Sequence, residues 1–377
     1  MALGILFGPA LRDSPARGHT FEYRGEILAN WDGQWYKAIA ARGYSYDPKA
    51  HSSVAFFPAY PLTGRIVARL TGLSTEVALV IISNLSLIIT FVIVMHYINN
   101  KNLAADEDRL GHFVLLAMSL APISFFFRMA YSESMFLALT ALTLYGIARE
   151  WPLIATAAIV GLATATRPVG VGLIPALLLH AWRRPPGMKT FPIRFLYLLP
   201  ICLSGILTYI IYQYLEFGDP LAFAHTQENW GLRPPSSLGA RLFCLATLEP
   251  IRSVYDPASR GYWGVEQGHP LLTLRVADPA YFLAAAALVA LGAFKRWLNE
   301  YELAVAIPLL LIPYATVGYE QYMRSAGRFA SAVVPVYFVL GHLLLRVPGP
   351  VLAGLAAISG FLLGIYSSMF SCWYLYI

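Results

Sequence analysis

The chain has 377 residues, of which 58% are hydrophobic and only 13% charged. Soluble domains average about 25% charged residues, so the deficit excludes an ordinary soluble enzyme and points to the bilayer. The net charge of +6 does not imply nucleic acid: the basic residues form no run and sit between apolar segments, where they report orientation.

In chain order, Met1 to Leu11 is apolar but has no basic leader and is only about half the roughly 20 residues a span needs. It reads as the stub of a first helix that starts upstream, or as an interfacial anchor. A polar, aromatic-rich segment follows, containing Trp31-Asp32-Gly33-Gln34-Trp35-Tyr36, Gly43-Tyr44-Ser45-Tyr46 and Phe56-Phe57-Pro58-Ala59-Tyr60-Pro61-Leu62. Apolar runs then recur at 77–98, 110–127, 135–148, 153–165, 169–182, 195–215, 280–294, 303–317, 330–345 and 351–372. These predict an all-α, polytopic membrane protein of about ten transmembrane helices with long exoplasmic loops. The two runs beside Arg167-Pro168 are short, reaching about 21 Å each at 1.5 Å per residue.

Charge decides whether those two are separate. Counted as two, they leave Lys101, Arg109, Arg149, the Arg183–Arg194 cluster, Lys295-Arg296 and Arg346 on one side, the cytoplasmic one by the positive-inside rule. Fused, they would put the Arg183–Arg194 cluster opposite its predecessors. The other face collects the segment 13–76, the turn 128–133, Arg167, the segment 216–278, and 320–328. The organisation is one integral membrane domain. It comprises an N-terminal stub with a first exoplasmic loop (1–76), membrane helices (77–215), an irregular exoplasmic cap (216–278) and C-terminal membrane helices (279–377).

Cys202, Cys244 and Cys372 are scattered and read as packing residues. The eight His form no H-x-x-x-H or H-E-x-x-H arrangement, so no metal site is expected. No phosphate-binding G-x-x-x-x-G-K-[ST] occurs, which argues against an ATP-driven pump.

Several polar residues on the exoplasmic face are candidates for chemistry. Asp32 stands between aromatics where the polar segment meets membrane-type sequence, and suits a general base; an ordinary interfacial loop is its bland alternative. Asp47 is the runner-up base, although Asp-Pro also starts turns. Arg167 lies between apolar stretches, where a bare charge is costly, and either contacts a phosphate or carboxylate or snorkels to headgroups. Arg324 and Arg328, four apart, would share a helix face and clamp one phosphate, or else anchor at the interface. Glu133 either positions a sugar or an arginine, or serves as a first-turn acid favoured by the helix dipole. Tyr131 offers a hydrogen bond to sugar or phosphate, but interfacial tyrosines are common. Gln227 and Trp230, three apart, fit sugar recognition by hydrogen bonding and stacking, or a packed loop core.

A family resemblance becomes specific at these residues. The run Trp31-Asp32, Gly43-Tyr44, Tyr46, Ala55-Phe56-Phe57-Pro58, Pro61-Leu62 resembles the first exoplasmic loop of the GPI mannosyltransferase II family and its prokaryotic relatives. So do Ala121-Pro122, Phe125-Phe126 and Ala130-Tyr131-Ser132-Glu133-Ser134. Thr166-Arg167-Pro168-Val169-Gly170 and Phe217-Gly218-Asp219-Pro220-Leu221-Ala222-Phe223 with Gln227 and Trp230-Gly231 also look like family segments. Arg328-Phe329 followed by Pro335 is similar to an Arg-aromatic-Pro pattern. The order is kept over residues 31 to 335.

The resemblance implies an inverting glycosyltransferase of the GT-C type, with Asp32 as catalytic base and Trp31 beside it in the substrate site. The donor would be a polyprenyl- or dolichyl-phosphate mannose or related hexose, and the acceptor a glycolipid or glycan. No cofactor and no nucleic-acid partner would be needed. The active site would face the exoplasm of a prokaryotic cell membrane, or the lumen of the endoplasmic reticulum in a eukaryote. A phosphate leaving group needs no protonation, so one carboxylate base and cationic phosphate contacts suffice, unlike two-carboxylate hydrolysis. The family would also have a membrane span directly before this loop, for which Met1 to Leu11 is too short. A secondary transporter or a non-catalytic accessory subunit of a glycosylation complex are the competing readings.

Overall fold

A computed structural model describes residues 25–101, 109–185, 190–234, 236–263 and 274–373. The expectations for Met1 to Leu11 and for the 186–189 part of the Arg183–Arg194 cluster lie outside the described residues. Within them the chain is all-α, with no strand. Five helices are long and apolar enough to cross a membrane, or up to six if a bent pair counts as one span. The protein is a multi-pass membrane protein. Those helices are Thr75–Asn99, Phe191–Phe217, Ala277–Phe294, Glu300–Gly318 and Gly349–Ser371. Shorter apolar helices at Glu133–Ala148, Leu153–Thr166 and Val334–Leu344 pack among them.

Local sequence sets the helix ends. Ser74 caps Thr75–Asn99 by accepting from the Val77 amide at 3.5 Å. Asn299 opens the helix at Glu300 with a reciprocal capping box to Glu302, three residues before the apolar run begins at 303. That helix passes Pro313 and continues as a π turn, Tyr314–Gly318, because proline cannot donate the amide that a regular turn requires. Phe191–Phe217 stops at Gly218, whose φ of 72° allows the left-handed residue that closes the last turn.

Three expected elements differ. The run 110–127 is not one straight span: Leu110–Leu120 and Pro122–Arg128 meet at a bend of 83°, because Pro122 forces Ala121 out of the helical region. The run 330–345 is divided into Ala326–Ser331 and Val334–Leu344. The segment 13–76, expected as a loop, is substantially helical in its described part, with Asp32–Arg42 and Ala59–Thr71 in it. The latter shows Leu62, Ile66 and Leu70, each four apart, at 40%, 57% and 82% exposure. Such a stripe suits an amphipathic helix lying at the bilayer surface.

The charged termini sort to two ends. Arg184 donates to the carbonyls of Trp151 and Glu150, so the chain climbs Leu153–Thr166, turns at Arg167-Pro168, and returns to where it began. Lys101 pairs with Glu302, Arg183 with Glu300, and Arg149 reaches Asn100. The basic loops therefore gather at one end. The opposite end holds the breaks at Ala121, Arg167 and Met323, with the Asp32–Arg42 helix packed beside them.

Close approach between Leu153–Thr166 and Phe191–Phe217 depends on two glycines. A Cβ at Gly161 would come within 2.5 Å of the Ile201 carbonyl, and one at Gly205 would collide with the backbone of Ala165 and Gly161. Small residues at such crossings let membrane helices gain van der Waals contact where hydrophobic burial offers no drive. Gly205→Leu should destabilise the protein by more than the ~1–3 kcal/mol typical of overpacking, since the obstacle is backbone. Gly354→Leu, where nothing lies within 4 Å, should be neutral. Thermal unfolding in detergent would compare them; equal midpoints would count against the crossing.

Candidate active site

The site is assembled around the first residues of the Asp32–Arg42 helix. The Asn30 side-chain amide donates to the carbonyls of Phe370 and Ser371 at 3.4 and 3.3 Å, which fixes the approach of the chain. Trp31 follows with φ 56°, an uncommon conformation for a side-chain-bearing residue. Its ring packs on Trp373 with centroids 5.1 Å apart. The Tyr131 hydroxyl accepts from the Asp32 amide at 3.1 Å and donates to the Asn30 carbonyl at 3.2 Å. Asp32 is thus held from both sides of its backbone.

Its side chain enters a charge relay. Arg328 donates from Nη1 to Asp32 Oδ2 and from Nε to Glu133 Oε1; Arg167 donates from Nη1 to the same Glu133 oxygen. Glu133 is fully buried and Arg328 nearly so, whereas the Asp32 side chain remains 31% exposed. Arg328 also lies over the Tyr131 ring at 4.5 Å, and Arg167 over Phe329 at 5.1 Å. Burial opposes the Arg328 charge, but the Glu133 and Asp32 carboxylates outweigh it and hold the guanidinium well above its usual range. Burial, then the negative charge of Glu133, pushes the Tyr36 hydroxyl up to about 12.

Asp32, Arg167, Arg324 and Arg328 all line one cavity of 1040 Å³, together with Trp31, Gln227 and Trp230. Its far wall is an aromatic shelf. Trp35 stacks on Phe56 at 5.8 Å, and Trp230 stands edge-on to Trp35 at 6.2 Å. His51 stacks flat on Trp230 at 4.3 Å and hydrogen-bonds the Asn229 carbonyl at 2.9 Å. The Thr226–Trp230 turn is therefore pinned to the first loop.

Some expectations need correction. Tyr131 is fully buried, with its hydroxyl committed to Asn30 and Asp32, so it braces Asp32 instead of offering a bond to a ligand. For Glu133, of the two roles expected, the arginine-pairing one is what the structure shows: it is not in the cavity lining and pairs with Arg167 and Arg328. Arg324 and Arg328 do not share a helix face. Tyr322, Met323 and Ser325 have φ of 49°, 63° and 61°, so Arg324 lies on a contorted segment before the Ala326–Ser331 helix. Asp47 accepts from the Lys49 amide at 2.9 Å, the side-chain turn of an Asp-Pro step, and is not part of the cavity lining.

Residues not singled out in the sequence also meet here: Asn30, His51, Arg275, Asp278 and Trp373. For Arg275 and Asp278 a signal existed, a basic and an acidic residue three apart at the entrance to an apolar run. For Trp373, in an apolar tail, there was none. Among the described residues no group of three or more His, Cys, Asp or Glu is arranged to hold a metal ion.

No protein-family model and no curated protein matches the chain. Among solved structures, ArnT from Cupriavidus metallidurans bound to undecaprenyl phosphate aligns over 95% of this chain and 61% of its own, at 15% identity and a TM-score of 0.47. The archaeal oligosaccharyltransferase AglB from Archaeoglobus fulgidus, in complex with an inhibitory peptide and a dolichol-phosphate, aligns over 97% of this chain and 55% of its own. There the identity is 12% and the TM-score 0.44. The chain thus spans little more than half the length of these proteins.

Glu133→Gln should remove the negative charge that two buried guanidinium groups share, leaving Asp32 alone to compensate them. Breaking a buried pair in this way typically costs about 3–5 kcal/mol. Thermal unfolding should show a lowered midpoint, together with loss of whatever activity depends on Asp32. A variant as stable as the parent would mean that Glu133 contributes nothing to the folded state.

Proposed function

We propose that the protein is an inverting glycosyltransferase that moves a hexose, mannose in the first instance, from a polyprenyl-phosphate donor to an acceptor hydroxyl. The reading places the site at the exoplasmic face of a cell membrane, opposite the end where the basic loops gather. One observation supports it above the rest. Asp32 presents a carboxylate to a large cavity at one end of a membrane bundle, with Oδ2 held by Arg328 and Oδ1 without a protein partner among the described residues. The resemblance of the loop 31–62 to GPI mannosyltransferase II sequences points the same way.

The chemistry follows from that geometry. The acceptor hydroxyl approaches Asp32 Oδ1, and its oxygen attacks the anomeric carbon of the donor sugar. The proton passes to Asp32 as the new glycosidic bond forms. The bond from the anomeric carbon to the phosphate oxygen breaks on the opposite face, so configuration inverts and the lipid phosphate leaves with the electron pair. Arg328, locked by Glu133, keeps Asp32 oriented instead of letting it rotate between targets, so the orientation is set before the acceptor arrives. Trp35, Trp230 and Gln227 supply flat apolar faces and an amide of the kind that sugars stack on and bond to. The acceptor is a glycolipid or another glycan. A transporter is less well supported, because the ionisable residues lie at one end of the bundle and not at its middle.

Asp32→Asn should lower sugar transfer by about 10²–10⁴-fold, the usual worth of a general base, while donor binding stays close to normal. Membranes supplied with radiolabelled polyprenyl-phosphate mannose would report the transfer, and identification of the labelled product would name the acceptor. Near-normal turnover in the Asn variant would remove Asp32 as the base. Absence of any transfer by the parent chain, with any lipid-phosphate hexose, would return the transporter and accessory-subunit readings.

A further inference from the structure

The cavity holds two classes of arginine. Arg167 and Arg328 are ion-paired, and with Asp32 and Glu133 they form a group of two cations and two carboxylates whose charges cancel. Arg275 and Arg324 line the same cavity, half-buried, and among the described residues neither has a carboxylate at ion-pair distance. The contact that Arg275 makes is a 3.3 Å hydrogen bond to the Arg260 carbonyl. Arg241 and Glu320, also on this wall, pair with each other at 3.3 Å. Asp278 is the single carboxylate set against the outer pair, and its oxygens serve backbone amides, so the cavity keeps a surplus of positive charge at Arg275 and Arg324. Burial, and after it the charge of Arg324, hold the Arg275 guanidinium below its ordinary range.

The fold holds these two repelling groups together deliberately. Asp278, three residues after Arg275 and 1% exposed, accepts from the Ser325 amide at 2.9 Å and the Gly327 amide at 3.0 Å. Both its oxygens are spent on backbone. A Cβ at Gly327 would fall 2.9 Å from Asp278 Oδ1, so the approach requires glycine there. This tie pins the contorted segment that carries Arg324 to the start of the Ala277–Phe294 helix, directly beside Arg275. Unpaired, half-buried arginines fixed against their own repulsion are arranged for an anion.

We propose that Arg275 and Arg324 together bind the phosphate of the lipid-linked donor and keep it as the leaving group, while Arg328 acts as the positioning residue for the base. The inference rests on the glycosyl-transfer reading and adds to it the location of the leaving group. Arg328 is a poor phosphate ligand because its Nε and Nη1 are already spent on carboxylates, and drawing it away would strip Asp32 and half-strip Glu133 of their partner. Arg275 stands at the head of a membrane helix whose Val276 and Leu283 are each 43% exposed, so a phosphate there lets its apolar chain run down the lipid-facing surface.

The test is binding of citronellyl phosphate to the purified full-length protein in detergent. Arg275→Gln and Arg324→Gln should each weaken binding by about 10-fold or more, as expected for a charge-assisted hydrogen bond, and the double variant should weaken it further. Arg275→Lys and Arg324→Lys should restore part of it, and Asp32→Asn should bind normally. In turnover assays the Gln variants should raise KM for the donor more than they lower kcat. Inorganic phosphate should compete, and phosphatidylglycerol should compete poorly. Unchanged affinity in both Gln variants, with the parent binding well, would overturn the assignment and leave the glycosyl-transfer reading standing. Competition by phosphatidylglycerol equal to that by citronellyl phosphate would also overturn it, in favour of a general phospholipid contact. Failure of the parent protein to bind citronellyl phosphate at all would overturn the assignment and the glycosyl-transfer reading with it.

Discussion

Glu133 receives two arginines on one carboxylate oxygen, and the architecture of this end of the molecule follows from that arrangement. A lone ion in apolar surroundings costs several kcal/mol, so each buried charge must find a partner of opposite sign. Glu133 begins one helix, Arg167 ends another, Arg328 lies on a third and Asp32 opens a fourth. Pairing them brings four segments scattered over about three-quarters of the sequence to one place. The chain of contacts ends on the one member with substantial exposure, Asp32. Stability demands a neutral cluster, and neutrality places a carboxylate at the cavity.

Membrane physics explains why the breaks in the helices gather there too. Backbone amides and carbonyls left unpaired in lipid are costly, so irregular backbone survives only where protein or a polar cavity supplies partners. The bend at Ala121, the extended Arg167, and the left-handed Tyr322, Met323 and Ser325 all lie at the polar end. Each frees backbone or aims a side chain that an uninterrupted helix would direct elsewhere. Asp278 satisfies two of the freed amides, which lets the contorted segment persist. At the other end, Lys101, Glu302, Tyr97 and Asn299 form a compact cluster that caps a helix.

The segment 216–263 is tied down by contacts with the first loop and with the 319–322 region. Tyr46 donates to Asp219 at 2.8 Å, and His225 meets the same carboxylate at 2.8 Å. Burial resists ionisation of Asp219, but the hydrogen bonds from His225 and Tyr46 prevail and keep it below the usual carboxylate range. Arg233 pairs with Glu249 while lying over Tyr322 at 4.0 Å. The aromatic shelf of Trp35, Phe56, His51 and Trp230 is thus built from two segments that neither could supply alone.

The all-α, membrane-spanning character was legible in composition and apolar run length, because lipid leaves helices as the economical way to pair every backbone group. Charge alternation separated the two short helices around Arg167-Pro168, since arginines cannot cross a bilayer freely. That Asp32, Arg167 and Arg328 are charges beside apolar sequence, which must find partners, was legible too. Their division of labour was not. Whether an arginine grips a ligand or a neighbouring carboxylate depends on which groups face it from other helices, and one-dimensional spacing carries no record of that. Tyr131 became a brace, and Arg275 and Asp278 joined the cavity, for the same reason. Sequence determined that polar groups had to collect at one end of the bundle. Only the tertiary structure decided which charges cancel one another and which remain unpaired, because that depends on distances of a few ångströms between segments far apart in the chain.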